Sequence, residues 1–296
     1  MSRPIAERSG GVGRAMGCPD RDRLRETFDQ DPEGYKRARP TYPAELFDDL
    51  AVLAHLGAGS RMVEIGPGTG QATGELARRG YRGTGIELGA GLAALARQRL
   101  AAFPDVEIVT SSFETWQPRR AEFDAVVAFT SFHWLDPEVR YERAARLLRR
   151  DGVLAIVSTR HVLSEDGDSI FADLQADYRG LMPGADAGPP PHPDAVAGVS
   201  DEIDASGRFR TIASRRYLWD VSYTADQYIA LLDTYSGHRL LELSKRKLLY
   251  ARIRKRIEGS TNSTISKSYL ATLDIARPAS QSPSSHAELD RSSASG

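Results

Sequence analysis

The feature that most constrains this chain is a glycine-rich segment that follows a short apolar run. Residues Arg61–Gly70 read Arg-Met-Val-Glu-Ile-Gly-Pro-Gly-Thr-Gly, and a helical pattern comes directly after them. This order predicts a β-strand that turns tightly into an α-helix. Gly66, Gly68 and Gly70 allow positive φ and a close approach of the backbone to a ligand, and the helix start presents unpaired N–H groups. The turn is therefore predicted to bind a small charged ligand.

The glycine spacing and a neighbouring acid indicate what kind of ligand this is. Dinucleotide-binding turns follow the pattern Gly-x-Gly-x-x-Gly, and a pyrophosphate rests on the helix start. Here the third glycine, Gly70, comes one place earlier, and Gln71 stands where the dinucleotide pattern has glycine. Glu64, inside the predicted strand, repels phosphate and attracts an ammonium group. A ligand with a cationic group is therefore favoured over a dinucleotide.

The pattern Glu-x-Gly-x-Gly-x-Gly, followed by Glu87 at the end of the next predicted strand, resembles motif I of the class I S-adenosylmethionine (AdoMet)-dependent methyltransferases. The similarity is to small-molecule members of types 11 and 25, over about residues 28–159 and more weakly to about residue 277. It implies AdoMet as the cofactor, with Glu87 on the ribose, since two carboxylate oxygens suit a vicinal diol. The residues implied for the turn are Glu64, Gly66, Gly68 and Gly70.

The composition narrows the classes of partner. The chain is 41% apolar and 27% charged, with a formal net charge of −1, so no field of one sign favours nucleic acid or an anionic membrane. It has no long apolar run, and its first residues have no apolar signal core, so we expect no membrane association and a cytoplasmic location. The single cysteine, Cys18, excludes an intrachain disulfide and a cysteine metal site. Basic residues in segment 240–257 accompany apolar residues at helical spacing, which indicates a solvated face of an amphipathic helix.

Strand-like and helix-like segments alternate between about residues 62 and 158, which predicts a parallel sheet covered by helices on both faces. The resemblance implies an α/β, Rossmann-like sheet of seven mostly parallel strands. Two late antiparallel strands, within 209–223 and 263–276, complete it, and a small helical cap near the C-terminus is inserted between them. The expected regions are a disordered tail at 1–20, an N-terminal helical lid at 21–60, the AdoMet-binding core at 61–160, the rest of the sheet with a substrate cap at 161–277, and a disordered tail at 278–296.

Two later helices are predicted from their ends. Asp136 suits an N-cap, Pro137 suits the first helical position, and Gly152 is typical of a helix stop, so a helix is expected between them. Asp168 similarly predicts the start of a helix over about Ser169–Met182.

The segment Phe123–Asp136 is similar to the fourth-strand motif of small-molecule methyltransferases, including its Phe-His-Trp run. The resemblance implies that Phe129 and Thr130 border the methionine part of the cofactor. His133 has two interpretations: a general base that takes the proton of the methyl acceptor, or a histidine that only packs ahead of the next helix. Both stay open.

The segment Phe28–Pro43 is similar to the Tyr-x-x-x-Arg-Pro-x-Tyr-Pro element that folds over the cofactor in the same family. Arg39 is expected to pair with the cofactor carboxylate, and Tyr35 and Tyr42 are expected near the sulfonium as candidate catalytic groups. The alternative is that these side chains only attach a loop to the domain. At the end of the third strand, the resemblance implies Ser112 and Phe113 as neighbours of the adenine.

The absence of two sequence motifs narrows the possible classes of methyl acceptor. The Asn/Asp-Pro-Pro-Tyr/Phe box of amino-group methyltransferases does not match Phe129–Phe132, and the sequence shows no acidic cluster for a metal-assisted reaction. We therefore expect metal-independent transfer to O, N or C of a small molecule. Two alternatives stay open, an NAD-dependent oxidoreductase and a non-catalytic cofactor-binding partner protein.

Overall fold

The structure is a computed structural model that describes residues 29, 31–118, 122–163, 170–181 and 189–279. The predicted tail at 1–20, Cys18, the Asp168 cap and nearly all of the tail at 278–296 lie outside these residues.

The described residues form a seven-stranded sheet in the order β3-β2-β1-β4-β5-β7-β6. The strands β1 to β5 are parallel, and β7 pairs antiparallel with both β5 and β6, which confirms the mostly parallel sheet expected from the sequence. The strand bounds are β1 Arg61–Ile65, β2 Arg82–Glu87, β3 Val106–Thr110, β4 Phe123–Phe129, β5 Leu148–Val162, β6 Phe209–Thr224 and β7 Thr264–Pro278.

The helices connect these strands and cover the sheet. Their bounds are α1 Pro32–Ala38, α2 Ala44–Leu53, α3 Gln71–Arg78, α4 Ala90–Arg99, α5 Arg140–Leu147, α6 Ile170–Leu181, α7 Ser200–Ala205, α8 Ala225–Leu232, α9 Ser236–Arg239 and α10 Leu243–Glu258. Local chemistry sets several starts. Asp31 accepts a hydrogen bond from the Gly34 N–H at the start of α1, and Thr224 and Gln227 form a reciprocal capping box at the start of α8.

The helix predicted between Asp136 and Gly152 is shorter than expected. Asp136 begins a turn, in which its side chain accepts the Glu138 N–H at 3.0 Å, and α5 starts only at Arg140. The helix ends at Leu147 because Leu148 already pairs with β4. Gly152 is not a helix stop: a Cβ there would lie 2.8 Å from the carbonyl oxygen of Phe123, so glycine permits close strand approach.

Both faces of the sheet are buried, as alternation of side chains along a strand requires. Met62 and Val127 join one core with Phe47 of α2, whereas their neighbours Val63 and Val126 join the other core with α5. A third apolar cluster packs α6, α8 and α10 against the ends of β6 and β7. In α10 the residues Leu249, Ile253 and Ile257 are buried, which confirms its amphipathic character.

Gly83→Ala should lower the free energy of unfolding by about 3 kcal/mol. Gly83 has a φ of 149°, and a Cβ at this position would lie 1.8 Å from the carbonyl oxygen of Met62 in the neighbouring strand. Urea unfolding followed by circular dichroism measures the change. Gly57→Ala is the matched control, because nothing lies within 4 Å of its Cβ position. Equal unfolding free energies for the two variants would contradict the prediction.

Candidate functional site

A cavity lies at the carboxyl ends of the parallel strands, which is where open α/β sheets bind ligands. The structure brings most of the residues predicted from the sequence together around it. Those that line the cavity are Tyr35, Arg39, Tyr42, Glu64, Gly66, Gly68, Glu87, Phe113, Phe129, Thr130 and His133. Two predicted residues, Gly70 and Ser112, are not among the residues that line it.

The glycine turn adopts the left-handed backbone that its sequence predicts. The φ angles of Gly66, Gly68 and Gly70 are 64°, 59° and 79°. A Cβ on Gly68 would lie 3.6 Å from the ring of Tyr35, so α1 covers this part of the turn. Gly70 comes directly before α3 and its positive φ favours glycine there, while its Cβ position lies at an ordinary contact distance, 3.5 Å, from the Ala96 backbone of α4.

Two buried polar atoms beside the turn have no hydrogen-bond partner among the described residues. Glu64 is 4% exposed, and its Oε2 is unpaired. The amide nitrogen Nε2 of Gln71 is also unpaired, while its Oε1 accepts a hydrogen bond from the Thr69 hydroxyl at 2.8 Å. Because unpaired buried polar atoms are costly, an acceptor and a donor left open beside one cavity indicate a ligand with complementary groups.

Glu87 ties the end of β2 to the glycine turn. Its Oε2 accepts the Gly68 N–H at 2.8 Å and its Oε1 accepts the Gly89 N–H at 2.9 Å. Burial raises the pKa of Glu87, and these backbone hydrogen bonds oppose the rise. Each carboxylate oxygen keeps a second lone pair for a ligand donor.

Arg39 joins two segments that are far apart in sequence. Its guanidinium lies between the rings of Tyr35 and Tyr235, at 4.9 and 4.8 Å from their centroids, and Nη2 donates to the Thr234 carbonyl at 3.1 Å. Its buried Nε has no hydrogen-bond partner among the described residues. Pairing of Arg39 with a ligand carboxylate therefore stays a prediction, with Nε as the open donor.

Asp29 makes a contact that the sequence analysis missed. Its carboxylate accepts the N–H groups of Gly91 and Leu92, at 3.1 and 2.8 Å, and so caps α4 next to the end of β2. Asp29 is thereby held beside Gly91 and Leu92, at the edge of the cavity.

A chain of hydroxyls crosses the end of β4. The hydroxyls of Tyr42 and Thr130 lie 3.0 Å apart, and Thr130 donates to Thr159 at 3.2 Å. Thr130 has a φ of 55°, an uncommon value for a β-branched residue. Burial raises the pKa of Tyr42 well above its ordinary value, so the phenol stays protonated near neutral pH. Tyr42 is therefore suited to orient a ligand rather than to accept a proton.

His133 borders the cavity beside Trp134, with 4.9 Å between ring centroids, and its side chain is open to solvent on one side. Desolvation of the ring lowers the pKa of His133, and the positive charges of Arg140 and Arg160 add to this effect. Its imidazole is thus neutral near pH 7.

Ser112, which was expected beside the adenine, does not line the cavity. Its hydroxyl donates to the Glu114 carboxylate at 2.9 Å, and its neighbour Ser111 lines the cavity.

The far wall of the cavity was missed at the sequence level. It comprises Thr159 and His161 of β5, Trp219 of β6 and Tyr269 of β7, and it adjoins Tyr235 before α9. The alternation of β5 beyond Val157 is a signal that could have identified Thr159 and His161, because both lie on one face near the strand end. The residues of β6 and β7 reach the cavity only through strand pairing.

Within the described part of the chain, no cluster of three or more His, Cys, Asp or Glu residues could hold a metal ion. The helices described there include none that is long and apolar enough to cross a membrane.

Glu64 should make the ligand-free protein less stable as the pH rises. Burial raises its pKa from 4.5 to about 7, the neighbouring Thr73 hydroxyl opposes the rise and the charge of Glu87 adds to it. Between these values the folded state keeps a proton that the unfolded state has lost, so the free energy of unfolding falls, by about 3 kcal/mol at most. Urea unfolding at about pH 5 and pH 8 measures this fall.

Glu64→Gln should remove that fall, and Glu107→Gln, at an exposed position of β3, should retain it. The same difference between the two pH values in wild type and Glu64→Gln would show that Glu64 is not its source.

Comparison with known proteins finds relatives for part of this chain. Residues 63–156 match the family model described as a methyltransferase domain. An uncharacterized methyltransferase of Mycobacterium tuberculosis is 29% identical over 167 residues, 52% of this chain and 65% of that protein. An rRNA adenine N-6-methyltransferase of Saccharopolyspora erythraea is 36% identical over 115 residues, 38% of this chain and 28% of that protein.

A solved structure shares the fold. It is a proposed type II methyltransferase of Anaeromyxobacter dehalogenans, with a TM-score of 0.56 and 21% identity, covering 81% of this chain and 97% of that one. The chain spans 65% of the length of the mycobacterial relative. The family match covers residues 63–156, the segment that holds the glycine turn and Glu87 at the ends of β1 and β2, so this segment is similar to a class I AdoMet-dependent methyltransferase domain.

Proposed function

We propose that this protein transfers a methyl group from AdoMet to O, N or C of a small molecule, without a metal. The observation that carries the proposal is the pair of open buried atoms beside the glycine turn, Oε2 of Glu64 and Nε2 of Gln71, next to the fixed carboxylate of Glu87. This set accepts from an ammonium, donates to an anion and accepts from a diol.

The residues fit the groups of AdoMet. Glu64 would hold the ammonium, and Gln71 or the open Nε of Arg39 would hold the carboxylate. The free lone pairs of Glu87 would receive the ribose hydroxyls. Phe113 and Ser111 border the cavity where the resemblance implies the adenine. When bound, this cofactor supplies a methyl group on a positively charged sulfur.

The remaining residues orient the acceptor and exclude water. Holding the reacting atoms in line supplies much of the acceleration in a displacement, so few catalytic groups are needed. The protonated Tyr42, through Thr130 and Thr159, provides a fixed hydroxyl chain at the acceptor side. His133 and His161 are the two imidazoles at the cavity and the candidates for receiving a proton.

We assign the N-terminal segment and the helices between β6 and β7 to the lid and the cap. Arg39 supports this assignment, because it stacks between a ring of α1 and the ring of Tyr235 and bonds to Thr234. A cavity bounded in this way favours a small acceptor over a polymer. The segment Phe129–Phe132 also lacks the box that amino-group methyltransferases use, although one relative is named for rRNA adenine.

The two alternatives make different predictions. An NAD-dependent oxidoreductase would need phosphate beside Glu64, whose buried carboxylate disfavours it. A partner protein without catalysis would bind AdoMet and leave the methyl group in place for every acceptor.

Glu87→Ala should weaken binding of S-adenosylhomocysteine at least about tenfold, because it removes a ligand acceptor and frees the Gly68 N–H. Isothermal titration calorimetry of the purified chain measures the affinity. Glu107→Ala, at an exposed position of β3, should bind as wild type does. Binding of NAD instead of S-adenosylhomocysteine by wild type would refute the proposal.

Methyl transfer itself should appear when the chain is incubated with AdoMet labelled on the methyl group and with small-molecule extracts. A labelled product that is lost in Glu87→Ala supports the enzyme. Tight cofactor binding with no labelled product over a broad acceptor panel, together with a stable partner on pull-down, would favour the partner protein.

A further inference from the structure

A row of side chains runs across three strands on one face of the sheet. His161 of β5 is the direct partner of Tyr269 in β7, and Tyr269 is the direct partner of Trp219 in β6. Directly paired residues lie on the same face, and all three line the cavity. The rings of Trp219 and Tyr269 stack at 5.4 Å, and Tyr235 adds a third aromatic wall. These walls suit a flat, largely apolar molecule.

His161 is the polar group within this row. Its ring packs edge-on against Phe171, at 4.4 Å between centroids. Both ring nitrogens are buried, and neither has a hydrogen-bond partner among the described residues. Such a group is costly to bury in the ligand-free protein, and a ligand that donates a hydrogen bond would satisfy it.

The charge state of His161 bears on the charge of the ligand. Burial, with a contribution from Lys267, lowers the pKa of His161 well below its ordinary value, so the ring is neutral and one nitrogen is an acceptor. A neutral imidazole does not attract a carboxylate as a cation would.

Lys267 lies two residues before Tyr269 in β7 and is 1% exposed. Its ammonium donates to the Tyr235 hydroxyl at 3.2 Å and lies 5.3 to 5.7 Å from the ring centroids of Tyr228, Tyr235 and Tyr269. It is not among the residues that line the cavity, yet its charge behind the wall disfavours a cationic acceptor. Since neither an anionic nor a cationic acceptor is favoured, these residues suit a neutral one.

We propose that the methyl acceptor is a neutral hydroxy-aromatic molecule whose hydroxyl donates to a ring nitrogen of His161, with Trp219, Tyr235 and Tyr269 around its ring. This proposal rests on the proposed function and names the acceptor class of the same site. As the hydroxyl oxygen forms its bond to the methyl carbon, its O–H bond breaks and the proton passes to His161. The electron pair of the broken carbon–sulfur bond stays on sulfur, and the imidazolium later releases its proton to water.

The test compares para-cresol with para-xylene, which have nearly the same shape but differ in the hydroxyl. Binding of each to the full chain, saturated with S-adenosylhomocysteine, is measured by ligand-observed NMR. Wild type should prefer para-cresol by up to about tenfold, the size expected for one hydrogen bond to a buried acceptor. His161→Phe should abolish this preference and keep its affinity for S-adenosylhomocysteine within about twofold. His161→Gln, which restores an acceptor, should recover part of the preference.

His192→Phe, at an exposed position outside the cavity, is the matched control and should retain the preference. The proposal is overturned if the preference survives in His161→Phe, if His133→Phe abolishes it instead, or if wild type binds neither probe or both equally. Failure of wild type to bind S-adenosylhomocysteine would count against the proposed function. Normal binding of that compound without a cresol preference would count against the acceptor class alone.

Discussion

The site depends on two buried carboxylates placed on either side of one glycine turn. Glu87 is satisfied by the N–H groups of Gly68 and Gly89, which fixes the turn relative to the end of β2. Oε2 of Glu64 has no hydrogen-bond partner in the part of the chain that the structure describes, and repulsion from Glu87 adds to the cost of burying its charged form. Burial of unpaired charge is unfavourable in a protein interior. The buried Glu64 therefore lowers the stability of the ligand-free fold and creates a position where a cationic ligand group is stabilising.

Closure of the site comes from contacts between distant parts of the chain. Asp29 caps α4. Arg39, at the end of α1, contacts Tyr235 and donates a hydrogen bond to Thr234, which lies 195 residues later in the chain. These contacts hold Asp29 beside α4 and the end of α1 beside Tyr235. In the proposed function, these segments would enclose a bound ligand and limit access of water, and the strands would supply rigid positions for the reacting groups.

Local signals in the sequence predicted most of the helices and strands correctly. The predictions that differ from the structure do so for identifiable reasons. The Asp136–Gly152 segment has the caps of one helix, but pairing of Leu148 with β4 is a longer-range interaction that local patterns do not encode. Gly70 belongs to the motif and adopts the positive φ expected of it, yet the fold places its Cβ position beside Ala96 and not among the residues that line the cavity. Ser112 and Ser111 are adjacent, and only the strand-end geometry shows that Ser111 faces the cavity.

The sequence by itself determined the strand, turn and helix around Glu64 and the acid at Glu87, on which the proposed cofactor depends, because these features rest on residues close together in the chain. Tertiary structure alone decided the far wall of the cavity, which is proposed to hold the acceptor. His161, Tyr269 and Trp219 become neighbours only because β7 inserts antiparallel between β5 and β6 in one particular register. Register is fixed by burial on both faces of the sheet, a property of the whole packed core rather than of any short segment.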